Sequence, residues 1–343
     1  MVVGGRIADV GVGGLITGGG ISHLTTAYGF AADNVATFQV VLADGRIVEA
    51  SAQNHVDLFK ALKGGSGNFG IVTRFNLYTI PTPRGVWGGV QVFTPDKYDS
   101  LVNAYTRYQM ENQVADPKAT VLCVQIFSAT RKIWMNVLAH PEQDDPATLQ
   151  EWDAIGPVFS NTQHHAGLAD LISSVDSMGK EPIQRQDFRT LSIGVSAELL
   201  AEVVALFTST YDTIKETNGL QAVLAYQSIA LSAIEAAKKR GGNPLGYEEK
   251  AQTWLCLNTA WADTTDDDTV ILTNERFLGK VKEIAKAKGL WYEFIYLNDA
   301  GQNQQVIQSY GTANVQFLKD VSVAYDPQAV FQNLSKGGFK IGR

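Results

Sequence analysis

The densest concentration of glycine in this chain lies in its first twenty residues. Eight of the 32 glycines occur before residue 21, in the run GGRIADVGVGGLITGGGI. Residues without a Cβ let the main chain approach a ligand closely, and successive N–H groups can then converge on an anion such as a phosphate. Tight turns and close contacts between strands also favour glycine. On spacing alone, the segment is either an anion-binding loop or a set of tight turns.

Two nucleotide-binding motifs come into question, but one lacks its third glycine and the other lacks the motifs that should accompany it. The dinucleotide-binding pattern G-x-G-x-x-G starts at Gly11 and Gly13, but Ile16 occupies the place of the third glycine. The run GSGNFGIV at 65–72 matches the glycine-rich loop of kinases, yet no catalytic-loop H-R-D and no metal-binding D-F-G follows it. We therefore expect neither a Rossmann domain nor a kinase.

Composition excludes several classes of partner. The 28 Lys and Arg against 35 Asp and Glu give a net charge of −7, so binding to a phosphate backbone has little electrostatic support. No apolar run approaches the roughly 20 residues of a membrane span. Cys123 and Cys256 have no metal-ligand spacing around them. We expect a small-molecule substrate, no nucleic acid, no membrane and no metal, while oligomeric state and cellular location stay open.

Hydrophobic periodicity predicts an α+β protein with two domains. A hairpin around Asp44-Gly45, a short helix and a strand fill the first eighty residues. From about residue 85, strand-like segments alternate with longer helical ones, the clearest helices being predicted at 197–216 and 267–288. This order favours an antiparallel sheet with helices on one side, separate from the glycine-rich part.

Several sequence blocks, taken together, resemble one family. They are VGVGGLITGGGISHLTTAYGFAADNV, VVLADGRIVEAS, DLFKALKGGSGNFGIVTRF and, near the end, YLND, SYG and YDPQAVFQ. Their order and spacing are similar to those of FAD-linked oxidases of the vanillyl-alcohol-oxidase superfamily, in the berberine-bridge-enzyme-like branch. The resemblance implies a partial PCMH-type FAD-binding domain formed by 1–84 and 300–343. It also implies a substrate-binding domain over 85–299, with an antiparallel sheet backed by helices.

The resemblance also implies which residues bind FAD. The glycine segment would run beside the pyrophosphate and the ribityl chain, so that its N–H groups offset phosphate charge. A second set would support the same wall or border the adenine, and Asn298 would donate to a flavin carbonyl. The implied cofactor-binding residues are Gly11, Val12, Gly13, Gly14, Gly18, Gly19, Gly20, Asn34, Val35, Gly70, Ile71, Val72 and Asn298.

The sequence departs from the family in its flavin anchors. Relatives carry an R-G-G-x-H-type loop upstream of the glycine block, which holds the pyrophosphate and supplies a histidine for covalent attachment. Here no such loop precedes the block, and Ile7 stands where some relatives have a second anchoring cysteine. FAD binding is in doubt for this reason. We expect the chain to be a truncated form of a longer protein; the alternative is a natural short form that has abandoned FAD.

The run WYEFIYLNDA supplies the candidate catalytic residues. We expect a strand over 291–297, which would place Tyr292 and Tyr296 on one face and Glu293 on the other. By the resemblance, Tyr296 lies beside the flavin ring, Tyr292 is a candidate phenolic base and Glu293 a competing carboxylate base. The implied reaction is hydride transfer from a small organic molecule, a specialised metabolite or sugar, to FAD, with O2 as acceptor. A cofactor-independent isomerase or cyclase, or a non-catalytic remnant, are the alternatives.

Overall fold

Amphipathic segments form the helices of this chain. The computed structural model describes residues 1–82, 84–142, 144–176 and 185–342. Over these residues the α-helices are, in chain order, α1 (Val12–Thr17), α2 (Thr25–Tyr28), α3 (Val56–Ala61), α4 (Tyr98–Arg107), α5 (Gln113–Ala115), α6 (Gln150–Ile155), α7 (Leu168–Asp176), α8 (Ala197–Asp212), α9 (Leu231–Lys239), α10 (Asp267–Ala287), α11 (Thr312–Tyr325) and α12 (Val330–Asn333). A π-helical turn at Tyr108–Asn112 joins α4 to α5.

The strands contain most of the β-branched and aromatic runs. In chain order they are β1 (Val35–Val41), β2 (Ile47–Ser51), β3 (Ile71–Leu77), β4 (Val86–Phe93), β5 (Thr120–Ser128), β6 (Lys132–His140), β7 (Phe159–Ser160), β8 (Gln163–His165), β9 (Arg185–Gly194), β10 (Gln221–Ile229), β11 (Gln252–Trp261) and β12 (Trp291–Tyr292). Helices and antiparallel strands together confirm the predicted α+β class. Among the described residues, each helix is too short or too polar to cross a bilayer.

The chain divides into two compact units, each made of separate stretches. The first contains Met1–Pro81, Leu231–Glu249 and Glu293–Arg343, and the second contains Thr82–Ala230 and Lys250–Tyr292. The first boundary lies within three residues of the one predicted at 84. The structure differs from the sequence interpretation in two places, because 231–249 and 293–299 belong to the first unit instead of the second.

The first unit contains a three-stranded antiparallel sheet in the order β2-β1-β3. The predicted hairpin joins β1 to β2, and Gly45 takes a φ of +85° in its turn. One face of the sheet is buried against α3, where the Phe38 ring lies 5.6 Å from that of Phe59. The other face is open, and it includes the exposed side chains of Ile47 and Ile71.

The second unit contains a large antiparallel sheet in the order β12-β9-β11-β10-β5-β6-β4-β7, with β8 paired to β4. Helices α8 and α10 pack on one side, over 197–212 and 267–287, close to the two helices predicted from sequence. Leu255 and Leu257 of β11 point into the core that these helices cover. Trp261 of the same strand shares the face of Leu255 and Leu257. Strand alternation therefore turns Trp254 and Asn258 to the opposite face of the sheet.

Strand β9 was missed by the sequence analysis, although it pairs with both β11 and β12. Its sequence, RQDFRTLSIG, begins with charged residues that hide the alternation. In the structure, Asp187 and Arg189 lie on the helix-facing side and form an ion pair with a 2.6 Å Nε–Oδ2 distance. Asn274 of α10 donates its amide to Asp187 as well. Paired charges thus occupy positions where a pattern search expects apolar residues.

Candidate functional site

The first half of the glycine segment forms a short helix, which corrects the predicted loop. Gly11 caps α1, and the first intrahelical bond runs from the Leu15 N–H to the Gly11 carbonyl. The N–H groups that precede this bond have no acceptor within the helix. Gly11, Val12, Gly13 and Gly14 are all exposed, and a Cβ added at any of the three glycines would meet no atom within 4 Å.

The second half of the segment, Gly18 to Gly20, is buried and tightly packed. Gly19 and Gly20 have φ values of +115° and +85°, a region that side chains other than glycine rarely adopt. A Cβ at Gly20 would stand 2.6 Å from the Cβ of Ala31, and one at Gly18 would overlap the side-chain oxygen of Asn298. These glycines are required by the protein's own packing.

Tyr296 and Asn298 contact this buried half directly. The Tyr296 hydroxyl oxygen accepts hydrogen bonds from the main-chain N–H groups of Gly20 and Ile21, each at 3.1 Å. The Asn298 amide donates to the Leu15 carbonyl at 3.0 Å and to the Tyr296 hydroxyl at 2.9 Å. Both amide hydrogens of Asn298 are therefore used inside the protein, which leaves none for a flavin carbonyl. Burial raises the pKa of Tyr296, so its phenol stays protonated.

The predicted strand over 291–297 is also corrected, because only Trp291 and Tyr292 pair in a sheet. Tyr292 is the last residue of the second unit, and Glu293 is the first of the final stretch of the first unit. Tyr292 is half-buried beside β9, where a Cβ at Gly194 would stand 3.1 Å from its hydroxyl. Glu293 is exposed, and Tyr296 is buried. The expected alternation of the two tyrosines on one strand does not exist.

Asn34 and Val35 lie at the start of β1, next to a cavity of the first unit. The Asn34 amide donates to the carbonyls of Tyr28 and Phe30, and its side-chain oxygen accepts from Arg240. Asn34 therefore acts as a brace for the turn that precedes β1. Val35 lines the cavity, which has a volume of about 350 Å³ and whose walls are formed by Asp33, Val35, Ala52, Phe59, Tyr78, Lys239, Arg240 and Gly241.

The three residues at the start of β3 have different surroundings. Gly70 is buried, and a Cβ there would lie 2.5 Å from a methyl group of Val40, so close strand packing requires the glycine. Ile71 is exposed and Val72 half-buried. Only these last two have surface available for a ligand.

Sequence reasoning missed a buried charge cluster beside the cavity. The Lys63 ammonium donates to the Arg240 carbonyl at 2.9 Å and lies 4.3 Å from the centroid of the Phe59 ring. Burial lowers the pKa of Lys63 to about 8 and raises that of Asp33. The sequence feature that could have revealed the buried lysine is its spacing. Lys63 follows the buried Phe59 by four residues and so falls on the apolar side of the helical pattern.

The exposed half of the glycine segment fits an extended diphosphate cofactor. Its main chain is bare at Gly11, Gly13 and Gly14, and open space lies where side chains would otherwise stand. The N–H groups at the start of α1 carry partial positive charge. In the described part of the chain, no group of three or more His, Cys, Asp or Glu is placed to hold a metal ion.

Comparisons with known proteins identify FAD as the cofactor. A family model described as FAD binding domain matches residues 1–51. FAD-dependent monooxygenase prx3 of Penicillium roqueforti is 35% identical over 355 residues, covering 99% of this chain and 69% of the relative. The solved structure of 6-hydroxy-D-nicotine oxidase from Arthrobacter nicotinovorans is similar with a TM-score of 0.73 at 17% identity, covering 96% of this chain and 72% of that one. Berberine bridge enzyme from Eschscholzia californica gives 0.70 at 17% identity, covering 97% and 71%.

The solved structures share the fold, and the curated relative shares enough sequence to establish membership. The match to that relative extends over nearly the whole of this chain and more than two thirds of the relative. The chain belongs to the same family of FAD-dependent oxidoreductases as that relative, its cofactor is FAD, and it shares the fold of berberine bridge enzyme.

Proposed function

We propose that this protein oxidises a small organic molecule, a specialised metabolite or a sugar, with FAD as hydride acceptor and O2 as the final oxidant. The observation that carries the proposal is the bare, exposed main chain at Gly11, Gly13 and Gly14 in a member of an FAD-dependent family. When bound, FAD supplies the electron sink for the hydride. The protein's own part is to hold the cofactor, orient the substrate and remove a proton.

The cofactor contacts divide according to exposure. Gly11, Val12, Gly13 and Gly14 would offer N–H groups to the diphosphate, and Ile71 and Val72 would offer apolar contact further along. The buried members of the predicted set, Gly18, Gly19, Gly20, Asn34, Gly70 and Asn298, would act indirectly by shaping the segment and the strands that hold it. Val35 would act through the cavity that it lines.

Tyr292 is the candidate base that the surroundings support best. Tyr296 is buried with its oxygen already accepting three hydrogen bonds, so it has no access to a substrate proton. Tyr292 pairs with Ser192 at the edge of the sheet, on the face opposite the one that α8 and α10 cover. On that face, Ser192 Oγ and Asn258 Oδ1 are buried without a hydrogen-bond partner among the described residues, as expected of groups that bind a substrate. Glu293 is exposed to solvent.

The test is a turnover measurement on flavin-loaded protein with a panel of metabolites and sugars. An oxidase releases one H2O2 for each O2 consumed, whereas a monooxygenase, as the fungal relative is named, places an oxygen atom from 18O2 in its product. We expect H2O2 and no label in the product.

In Tyr292→Phe, flavin absorbance should persist while kcat falls about a hundredfold or more, the usual contribution of a general base. Glu293→Gln is the matched control and should keep its activity. Labelled product, or full activity in Tyr292→Phe, would contradict the proposal.

A further inference from the structure

Helix α1 is too weak to be stable by itself. It has six residues, well below the roughly 12 to 15 at which an isolated helix becomes marginal in water. Two of its six residues, Gly13 and Gly14, favour a helix much less than alanine does. Only Ile16 of the helix is buried. Contacts from elsewhere in the first unit must therefore hold α1 in its helical form.

Tyr296 and Asn298 supply those contacts at the C-terminal end of α1. The Leu15 carbonyl is among the last of the helix, where carbonyl groups lack intrahelical donors, and the Asn298 amide donates to it. Tyr296 then accepts from the N–H groups of Gly20 and Ile21, at the end of the positive-φ turn formed by Gly19 and Gly20. The Tyr296 ring also lies 3.4 Å from where a Cβ of Gly19 would stand.

The two side chains are joined to each other as well. Asn298 donates to the Tyr296 hydroxyl at 2.9 Å, and its oxygen occupies the space where a Cβ of Gly18 would stand. Tyr296 and Asn298 lie almost three hundred positions away from this segment in the chain. They nevertheless supply the donor for the last helical carbonyl, the acceptor for the two N–H groups of the turn, and the closest contact to a glycine. A shift in either side chain would be transmitted to α1.

We propose that Tyr296 and Asn298 are positioning residues that keep the glycine segment folded with its first N–H groups exposed for the cofactor. Neither touches the reacting atoms in this role. The proposal gives a physical reason for the tyrosine and the asparagine two residues apart in YLND, and it replaces the flavin-ring contact expected from sequence. Its link to FAD rests on the proposed function, whereas its link to α1 does not.

The test is amide hydrogen exchange in Tyr296→Phe without added FAD. Removing the hydroxyl leaves two buried N–H groups without an acceptor, so exchange at Gly20 and Ile21 and through 12–17 should accelerate about tenfold or more. Tyr310→Phe is the matched control, because the Tyr310 hydroxyl is equally buried in the same unit but donates to Gly64. The control should leave exchange in this segment unchanged. Equal acceleration in the two variants would overturn the proposal.

A second variant and a second readout complete the design. Asn298→Asp keeps the shape of the side chain but cannot donate, so it should accelerate exchange at 12–17 even if Tyr296→Phe does not fold. FAD titration should then show weaker binding for Tyr296→Phe than for Tyr310→Phe. Unchanged affinity with faster exchange would overturn the positioning role for the cofactor. If the wild-type protein binds no FAD at all, the proposed function fails while the exchange result still decides whether these residues hold α1.

Discussion

The two halves of the glycine segment differ in what requires the glycines. In Gly11, Gly13 and Gly14 the space beside each Cα is empty, and the residues are exposed. In Gly18, Gly19 and Gly20 that space is occupied by the protein's own atoms, or the φ angle is positive, and the residues are buried. One residue type thus serves two purposes within ten positions. The first half leaves room for a partner outside the chain, and the second half is a requirement of the fold.

This difference teaches how to separate binding glycines from structural ones. A structural glycine is recognised by the clash that an added side chain would make, or by a positive φ angle in the native backbone. A binding glycine shows neither, so its substitution by alanine should be harmless or even favourable to folding. Substitution by alanine in the first half should therefore keep or raise stability and lower cofactor affinity. In the second half, the same substitution should lower both.

The largest effect is expected at Gly20. In Gly20→Ala, the new methyl group would meet Ala31 at 2.6 Å, and alanine would be held at a φ of +85°. Overpacking and left-handed strain together should lower the free energy of unfolding by about 3 kcal/mol. Chemical denaturation of the purified protein measures this directly.

Gly45→Ala is the control that isolates the contact. Gly45 has the same φ of +85° in the β1–β2 turn, but nothing lies within 4 Å of where its Cβ would stand. It should lose only the strain contribution, about 1 kcal/mol. Equal losses in the two variants would show that the buried half is held by backbone conformation alone.

A smaller effect, dependent on pH, is expected at His23, which follows the buried half. Burial, with a smaller contribution from Arg6, lowers the pKa of His23 from its usual 6.5 to about 3. The unfolded chain takes up this proton below pH 6.5 and the folded chain does not, so this stability is complete above pH 6.5 and is lost as pH falls towards 3. At pH 5 the loss should be about 2 kcal/mol relative to pH 7.

Denaturation of His23→Leu at pH 5 and pH 7 checks the assignment, because leucine cannot be protonated. The variant should lose less stability than the wild type over this interval. His164→Leu is the control, since His164 is exposed and paired with Asp144 at 3.0 Å. If His23→Leu keeps the full wild-type dependence, His23 is not the group responsible.

The sequence predicted the elements with strong local signals and failed where distant residues decide. The hairpin at Asp44-Gly45 and the helices near 197–216 and 267–288 follow from turn chemistry and periodicity, which are local. Helix α1 was read as a loop because its glycines disfavour a helix, and the Tyr296 and Asn298 contacts that stabilise it are far away in sequence. The same limit explains why both residues were expected at the flavin.

The smallest effect, and the one that separates the two halves most clearly, is expected at Gly13. Gly13→Ala adds a methyl group to α1 where nothing lies within 4 Å, so the fold should gain about 0.5 to 1 kcal/mol from helix propensity. Gly279→Ala in α10 is the control, because Gly279 is also helical and also has open space beside it. Both variants should unfold at a slightly higher denaturant concentration than the wild type. Only Gly13→Ala should bind FAD more weakly, because its methyl group takes the space that the diphosphate needs. A Gly13→Ala variant that gains stability and keeps full affinity would place the cofactor elsewhere, and the exposed glycines would then need another explanation.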